Sequence, residues 1–289
     1  MFENFEQKRV DVGTAEINLE QAGDGSPLLL LHGYPQTHAM WHEVAPQLAE
    51  RFTVIVPDLR GYGDSTGPAN PNTADYSNRE MAEDLVGVMD ALGFDEYRIA
   101  GHDRGARVGY RFALDHPQKV KKLAVLDIVP TLETVERMDY EMAKGMYHWL
   151  FLAQPYPVPE TLINGAATFY VDHLLENWSA SIESFDPAAV SEYHRCFGEE
   201  SVVRASCEDY RAGLSIDLDH DRASREAGDR IECPLLAVWG DASGTISFDP
   251  IEIWERWATD VEGKSLSCGH FIPEEAPEAT VGKLESFFA

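Results

Sequence analysis

Short apolar runs, separated by segments with helical spacing, constrain this 289-residue chain more than any other feature of its sequence. The runs occupy residues 27–31, 52–56, 97–100, 122–126 and 235–239. Continuous apolar runs of this length are typical of parallel strands that are covered by helices on both faces. The chain is therefore predicted to be an α/β protein with a mostly parallel central sheet.

The remaining periodic segments fit around that sheet. Residues 8–20 alternate polar and apolar side chains, which predicts an antiparallel hairpin at a sheet edge. Helical spacing is found at 78–92, with Ser77 or Asn78 as its N-cap, and at 104–116. Towards the carboxyl end we predict a helix at 250–258, a strand at 264–267 and a last helix at 277–288.

Residues 131–213 break the alternation of strands and helices. They are rich in aromatic residues, contain several prolines and have few β-branched runs. We predict that they form a helical cap inserted between two parts of the α/β core, residues 1–130 and 214–289. Caps of this kind close over sites at the carboxyl ends of strands.

The charge balance limits the partners. With 50 acidic and 23 basic residues the net charge is −27, so the surface repels phosphate and anionic lipid, and nucleic-acid and membrane partners are not expected. The amino end lacks a basic region followed by an apolar run, and we expect a cytoplasmic protein. The four cysteines show no CxxC spacing, which gives no support to a zinc, redox or disulfide framework.

Gly101-His102-Asp103-Arg104-Gly105 lies between a predicted strand and a predicted helix. Small residues two positions before and after an acid match the nucleophile elbow, with Asp where Ser is usual. The glycines are needed because side chains there would collide with the neighbouring strand and helix. An Asp that merely caps the helix is the alternative; the turn at His32-Gly33-Tyr34-Pro35 after an earlier strand favours the elbow.

An Asp nucleophile displaces a leaving group from carbon and forms an ester, which water then hydrolyses with the help of a base. His270, which follows the last predicted strand, is the candidate base; a buried structural histidine is the alternative. The acid that orients it is Asp127 or Asp241, because both follow strands of the sheet. Their spacing does not distinguish between them.

Arg104 and Arg107 share one face in the first turn of the helix after the elbow. Each cation at a helix N-terminus costs about 0.3–1 kcal/mol, so an anion should compensate them. A substrate carboxylate would do so, and ion pairs at the surface are the alternative. In the cap, His148, Trp149 and Tyr210 carry neutral donors that suit a leaving anion, although aromatic packing explains them equally simply.

These features resemble the fluoroacetate (haloacetate) dehalogenases of the α/β-hydrolase superfamily, almost from end to end. The resemblance is carried by HGYPQTHAMW (32–41), PDLRGYGDS (57–65), AGHDRGARVGYRFALDHP (100–117), LDIVPT (126–131), YHW (147–149), CEDYRAG (207–213) and GHFIPEEAPE (269–278). Two departures are Ala106, where glycine is common, and Asp241, where other branches of the superfamily keep their acid.

The resemblance implies a role for each candidate. Asp103 would be the nucleophile, His270 the base and Asp127 its orienting acid. Arg104 and Arg107 would hold the carboxylate of a haloacid substrate, and the halide would be bound by His148, Trp149 and Tyr210. The backbone N–H groups of Tyr34 and Arg104 would form the oxyanion hole. No cofactor or metal is implied, and a homodimer formed through the cap is our expectation.

Three other activities share parts of this pattern. An epoxide hydrolase would use the same Asp, His and acid, with two cap tyrosines to protonate the epoxide. A haloalkane dehalogenase would not need Arg104 and Arg107. A ligand receptor on this fold would not need the Asp–His pair.

Overall fold

A central sheet organises the chain, whose computed structural model describes residues 1–244 and 248–289. The strands are β1 (Glu6–Asp11), β2 (Glu16–Ala22), β3 (Ser26–Leu31), β4 (Phe52–Pro57), β5 (Tyr97–His102), β6 (Val120–Leu126), β7 (Leu235–Gly240) and β8 (Val261–Leu266). They form one eight-stranded sheet in the order β1-β2-β4-β3-β5-β6-β7-β8. β2 pairs antiparallel with β1 and β4, and all other pairs are parallel. The predicted α/β class is confirmed.

The apolar runs became β3 to β7. β3 has a strand on either side, with Leu28 paired to Val54 of β4 and to Arg98 of β5. Its four consecutive leucines, which point alternately to the two faces, are all fully buried, so both faces of the sheet are covered there. β8 begins earlier than predicted and is largely exposed, as expected for an edge strand. The amino-terminal hairpin formed as predicted, with Lys8 opposite Leu19.

Helices cover both faces of the sheet and one end. They are α1 (Ala45–Leu48), α2 (Asn78–Ala91), α3 (Asp103–Asp115), α4 (Thr131–Arg137), α5 (Tyr140–Gly145), α6 (Tyr147–Leu152), α7 (Val158–Asn164), α8 (Ala167–Trp178), α9 (Pro187–Phe197), α10 (Glu200–Gly213), α11 (Ile216–Ala227), α12 (Pro250–Trp254), α13 (Ile272–Glu275) and α14 (Pro277–Phe288). Within the described ranges, no helix has both the length and the apolar character that crossing a bilayer requires.

Three of the predicted helix boundaries can be compared with those in the structure. Ser77 is the N-cap of α2, because its hydroxyl accepts a hydrogen bond from the N–H of Glu80 at 3.3 Å. The last helix has the predicted bounds. The helix predicted at 250–258 ends at Trp254 instead, since the chain then turns so that Ala258 pairs with Ile231.

Between β6 and β7 the chain is helical. Residues 127–234 are all described and contain α4 to α11 without a strand; we call α4 to α10 the cap helices. α11 is fastened to α3 by a hydrogen bond of 2.9 Å from the Tyr110 hydroxyl to Asp221. The division into core and cap stays a prediction.

Candidate active site

Asp103 stands at the turn from β5 into α3. Its backbone lies in the left-handed region with φ of 44°, which L-residues rarely adopt. A Cβ on Gly101 would come within 2.6 Å of the Ala106 nitrogen, and one on Gly105 within 2.4 Å of the His32 carbonyl oxygen. Only glycine fits at these two places, so the sequence forces the sharp turn that presents the Asp103 side chain at its tip.

The Asp103 carboxylate is buried and ionised. Burial by itself would raise its pKa, but the nearby His270, His102 and Arg107 outweigh burial and lower the pKa to about 2. The backbone N–H of Tyr34 donates a hydrogen bond of 3.0 Å to Oδ2. One carboxylate oxygen is therefore already bound by a backbone donor.

The loop that carries Tyr34 is held by His32. Its Nε2 accepts from the N–H of Leu59 at 2.9 Å, and its Nδ1 donates to the Gly33 carbonyl at 3.0 Å. A Cβ on Gly33 would lie 2.7 Å from the Asp103 Cβ. The absence of a side chain at Gly33 lets this loop approach the elbow closely enough for the Tyr34 contact.

His270 is paired with Asp127. Its Nδ1 donates to Asp127 Oδ2 at 2.7 Å, and the Gly240 N–H donates to the other oxygen at 3.0 Å. Burial tends to lower the pKa of His270, but the hydrogen bond and charge of Asp127 and the charge of Asp103 raise it above its usual value. Asp127, like Asp103, has a left-handed backbone, with φ of 56°. Asp241 lies elsewhere: it is exposed and accepts from the Ser267 hydroxyl at 3.0 Å.

The two arginines of α3 have different surroundings. Arg107 stacks on the Trp149 ring, with its Cζ 4.6 Å from the ring centroid. It donates to Thr131 Oγ1 at 2.9 Å and to the Val129 carbonyl at 3.2 Å. Its Nε is buried and has no partner in the part of the chain that the structure describes. Arg107 therefore keeps donor capacity beside Asp103.

Arg104 is bound to a carboxylate of the chain itself. Its Nε donates to Asp209 Oδ2 at 2.9 Å and its Nη2 donates to Oδ1, so the pair is bidentate and both side chains are buried. The Tyr62 hydroxyl donates to the same Oδ2 at 2.7 Å. The anion that two adjacent cations required is, for Arg104, supplied by the cap helix α10.

The aromatic residues of the cap helices meet above the elbow. His148 has its ring centroid 5.6 Å from that of Tyr210, which in turn lies 6.4 Å from Trp149. Burial lowers the pKa of His148 to about 3, so the ring is neutral and carries a single N–H. Among the described residues, neither the Tyr210 hydroxyl nor His148 Nδ1 has a hydrogen-bond partner.

A cavity of about 350 Å³ joins these groups. It is lined by Asp103, Arg107, Glu141, Met142, Gly145, Met146, His148, Trp149, Asn177, Trp178, Ser243, Gly244 and His270. Tyr210 packs against the lining residues His148 and Trp149, and the Arg104 Cζ lies 5.0 Å from the Tyr210 ring centroid. The cavity thus brings a carboxylate, a paired imidazole and a guanidinium to one space between core and cap.

A cap segment is joined directly to the His270 loop. The His270 N–H donates to the Trp178 carbonyl at 2.9 Å, and the Trp178 ring centroid lies 5.6 Å from that of His270. Glu275 accepts from the N–H groups of Ala180 at 2.7 Å and of Gly269 and Phe271, both at 2.9 Å. One carboxylate therefore ties the loop to the end of α8.

Sequence reasoning missed Asp209, Trp178 and Glu275. Asp209 precedes Tyr210 in CEDYRAG, and its signal is the need for an anion near Arg104, which the sequence alone assigns to a substrate carboxylate. No periodicity or motif marks Trp178. Glu275 looks like any acid in the first turn of a helix.

An elbow acid between a strand and a helix, a histidine–acid pair at the ends of later strands, and helices over the sheet edge define an α/β hydrolase. The family model described as the α/β hydrolase fold matches residues 26–277, and the chain belongs to that family. It is an enzyme of the hydrolase class.

Three relatives show how similar the chain is to individual members of this family. A fluoroacetate dehalogenase from Burkholderia sp. is 41% identical over 292 residues, which cover 100% of this chain and 95% of that protein. A soluble epoxide hydrolase from Corynebacterium sp. (strain C12) is 34% identical, covering 93% of this chain and 92% of its own length. A solved α/β hydrolase structure from Nostoc sp. PCC 7120 superimposes with a TM-score of 0.97 at 51% identity, covering 100% and 99% of the two chains. The resemblance to the dehalogenase family is confirmed.

Proposed function

We propose that this enzyme hydrolyses the carbon–halogen bond of haloacetates such as fluoroacetate and chloroacetate, and releases glycolate, halide and a proton. The observation that carries the proposal is that the Arg107 guanidinium lines the same cavity as Asp103 and His270. In a chain of net charge −27, a buried cation beside an ionised nucleophile supports a small substrate that bears a carboxylate.

Arg107, which lines the cavity beside Asp103, makes the direct contact with the substrate carboxylate. Arg104 donates its bidentate hydrogen bonds to Asp209 and lies against the Tyr210 ring, so it acts on the substrate through its charge and not by direct contact. Together they orient the substrate so that its α-carbon faces Asp103.

In the first step, Asp103 Oδ1 attacks the α-carbon from the side opposite the halogen. The carbon–halogen bond breaks, the halide takes the bonding electron pair, and an ester forms on Asp103. Oδ2, which accepts from the Tyr34 N–H, becomes the carbonyl oxygen of that ester. The geometry supports this division of labour between the two oxygens.

The leaving halide is bound by His148, Trp149 and Tyr210. Fluoride is strongly hydrated, so its departure in a buried pocket needs several donors at once. The neutral state of His148 is compatible with this role, because a neutral ring still carries one N–H that can be donated to the halide.

In the second step, His270 takes a proton from water, and the resulting hydroxide attacks the ester carbonyl of Asp103. The N–H groups of Tyr34 and Arg104 stabilise the oxyanion. Asp127 holds the imidazole and stabilises its protonated form. The intermediate collapses by breaking the bond between the carbonyl carbon and the ester oxygen, and the departing alkoxide takes the proton from His270 to leave as glycolate. The Asp103 carboxyl then loses the proton that came with the hydroxide, which is the proton released, and the carboxylate is restored.

Halide release and isotope transfer test the proposal. Wild-type enzyme should release fluoride from fluoroacetate or chloride from chloroacetate. In a single turnover in ¹⁸O-water the first glycolate should carry unlabelled oxygen, and label should enter Asp103. Label in the product of the first turnover would exclude the ester.

Two substitutions test the assigned residues. Asp103→Asn should abolish halide release, and His270→Asn should accumulate the ester, detectable as a mass increase on the peptide that contains Asp103. Asp241→Asn, at an exposed acid that also follows a strand, is the matched control and should keep the wild-type rate. Halide release by the Asp103→Asn enzyme would contradict the assignment.

Epoxide hydrolysis is the second candidate, favoured by the similarity to the Corynebacterium enzyme and by the buried tyrosine hydroxyls of the cap. A neutral epoxide gains nothing from the charge of Arg107. Opening of styrene oxide at a rate above halide release, unaffected by Arg107→Met, would favour this second activity.

A further inference from the structure

Asp209 holds more of the contacts between core and cap than its neighbours on α10. It is fully buried, and its carboxylate accepts from two nitrogens of Arg104 and from the Tyr62 hydroxyl. Arg104 belongs to the helix that starts at the nucleophile, and Tyr62 to the segment after β4. One carboxylate thus joins α10 to two elements of the core.

The next residue along α10 is Tyr210, which rests on the same guanidinium. The Arg104 Cζ lies 5.0 Å from the Tyr210 ring centroid. Burial raises the pKa of Tyr210 well above its usual value, and the charge of Asp103 raises it further, which places that hydroxyl within the field of the nucleophile. Asp209 and Tyr210, adjacent on α10, therefore both contact the Arg104 guanidinium.

A buried ion pair is weak evidence for stability, because the desolvation of both charges offsets their attraction. Its value here is geometric, since the two parallel hydrogen bonds fix both distance and angle. We propose that Asp209 is a positioning residue of the reaction, which holds the Tyr210 hydroxyl at the leaving halide by locking α10 onto Arg104. This inference rests on the proposed function and adds the residue that aligns its halide site.

The inference predicts a dependence on the leaving group. Fluoride accepts hydrogen bonds far more strongly than bromide, so a displaced donor should slow the loss of fluoride more. We expect Asp209→Asn to lower kcat on fluoroacetate about tenfold more than on bromoacetate, since a misplaced donor loses part of the roughly 100-fold that one donor contributes.

A double-mutant cycle with Tyr210→Phe separates position from charge. Removing the charge of Asp209 also changes the potential in the cavity, but that effect is common to both backgrounds and cancels in the cycle. If Asp209 acts through Tyr210, Asp209→Asn should lose its leaving-group dependence in the Tyr210→Phe background. The coupling should be about tenfold, and a coupling within about twofold would overturn the inference.

A second readout needs no turnover. Chloride binding to the resting enzyme can be followed by the fluorescence of Trp149 and Trp178, which line the cavity. The same cycle on the chloride Kd should give a coupling of about tenfold. A wild type that releases no halide would contradict the proposed function alone, whereas independent effects of the two substitutions on chloride binding would contradict the inference alone.

Two further variants serve as a milder substitution and as a control. Tyr62→Phe removes one hydrogen bond to Asp209 without unpairing a buried charge, and it should show the same leaving-group pattern to a smaller extent, even if Asp209→Asn folds poorly. Asp219→Asn, at an exposed acid of α11 that pairs with Arg222, is the matched control. It should change neither kcat nor the chloride Kd.

Discussion

At the residue scale, Arg104 and Arg107 lie three positions apart on one helix but have opposite kinds of partner. Arg104 is bound on two nitrogens by Asp209, whereas Arg107 lies against the Trp149 ring with one nitrogen unpaired among the described residues. The first arrangement joins core to cap, and the second leaves a cation for the cavity. Replacing Arg104 should therefore lower mainly the stability of the protein, and replacing Arg107 should weaken mainly substrate binding.

Replacing each arginine by methionine separates these roles. Arg104→Met leaves Asp209 buried without its cation and should cost about 3–5 kcal/mol in the free energy of unfolding. Arg107→Met should destabilise less, but raise the KM for haloacetate about 100-fold, because charge-assisted hydrogen bonds worth about 3 kcal/mol are lost. Urea unfolding and halide-release kinetics measure the two effects. Equal losses of stability would contradict this distinction.

The pH dependence belongs to His270. Its pKa is raised, and it acts as a base only when neutral, so activity should fall on the acid side at a higher pH than for a free imidazole. Asp127→Asn removes the main cause of the rise and should shift this limb to lower pH, with ester hydrolysis slowed about 100-fold or more. Asp241→Asn is the control. If the acid limb shifted in Asp241→Asn and not in Asp127→Asn, Asp241 would be the acid that orients His270.

Individual residues could be predicted from the sequence where local chemistry is distinctive. The glycines around Asp103 require a sharp turn, and a histidine after the last strand is recognisable by position. The choice between Asp127 and Asp241 could not be made from spacing, since both follow strands and only the packing of the His270 loop decides which lies near. The partner of Arg104 could not be found either, because Asp209 is over a hundred positions away.

At the element scale, the loop after β8 packs directly against the end of α8. A Cβ on Gly269 would lie 2.4 Å from the Ala180 nitrogen, so the two chains run in direct contact. The contact continues through the bond from the His270 N–H to the Trp178 carbonyl. A movement of α8 is therefore transmitted to the candidate base.

Glu275→Gln tests this connection. The amide keeps one acceptor oxygen, so at least one N–H of the loop loses its partner, at a cost of about 1–3 kcal/mol. We expect ester hydrolysis to slow about tenfold, because the imidazole is held less closely, with the first step little changed. Burst kinetics of halide release measure both steps. Glu278→Gln, at an exposed acid of α14, is the matched control, and an equal effect there would contradict the role of Glu275.

Element boundaries were predictable where a local signal ends them. Pro277 starts the last helix and Ser77 caps α2, and both limits were correct. The early end of α12 comes from a contact between distant residues, Ile231 and Ala258, which no local pattern contains. The bounds and packing of the cap helices could not be predicted, because residues 131–213 lack the alternation of strands and helices that guides the prediction of the core.

At the scale of the whole molecule, one stretch of the cap helices carries almost no charge of its own, on a chain of net charge −27. Residues 145–171 contain a single charged side chain, Glu160, which is buried. Within that stretch Val158, Leu162 and Phe169 of α7 and α8 are exposed by 52%, 60% and 72%. We call this surface the cap face. Two copies of the chain repel each other least here, which supports the homodimer that we expect.

Light scattering tests the dimer. Leu162→Glu combined with Phe169→Glu places two charges on each copy of the cap face and should convert a dimer into a monomer. Ile182→Glu, at an exposed residue outside α6 to α8, is the control and should leave the mass unchanged. A wild-type chain that is monomeric at all concentrations would contradict the prediction.

The left-handed backbone of Asp103 and Asp127 carries a cost that the rest of the molecule has to offset. Such a conformation costs an ordinary residue about 1–3 kcal/mol, and glycine adopts it freely. Selection for durability alone would place glycine at both positions and yield a sturdier chain with no chemistry. The proposed catalytic roles explain why aspartates occupy both positions, and under that proposal any thermostable variant of this enzyme has to gain its stability elsewhere in the fold.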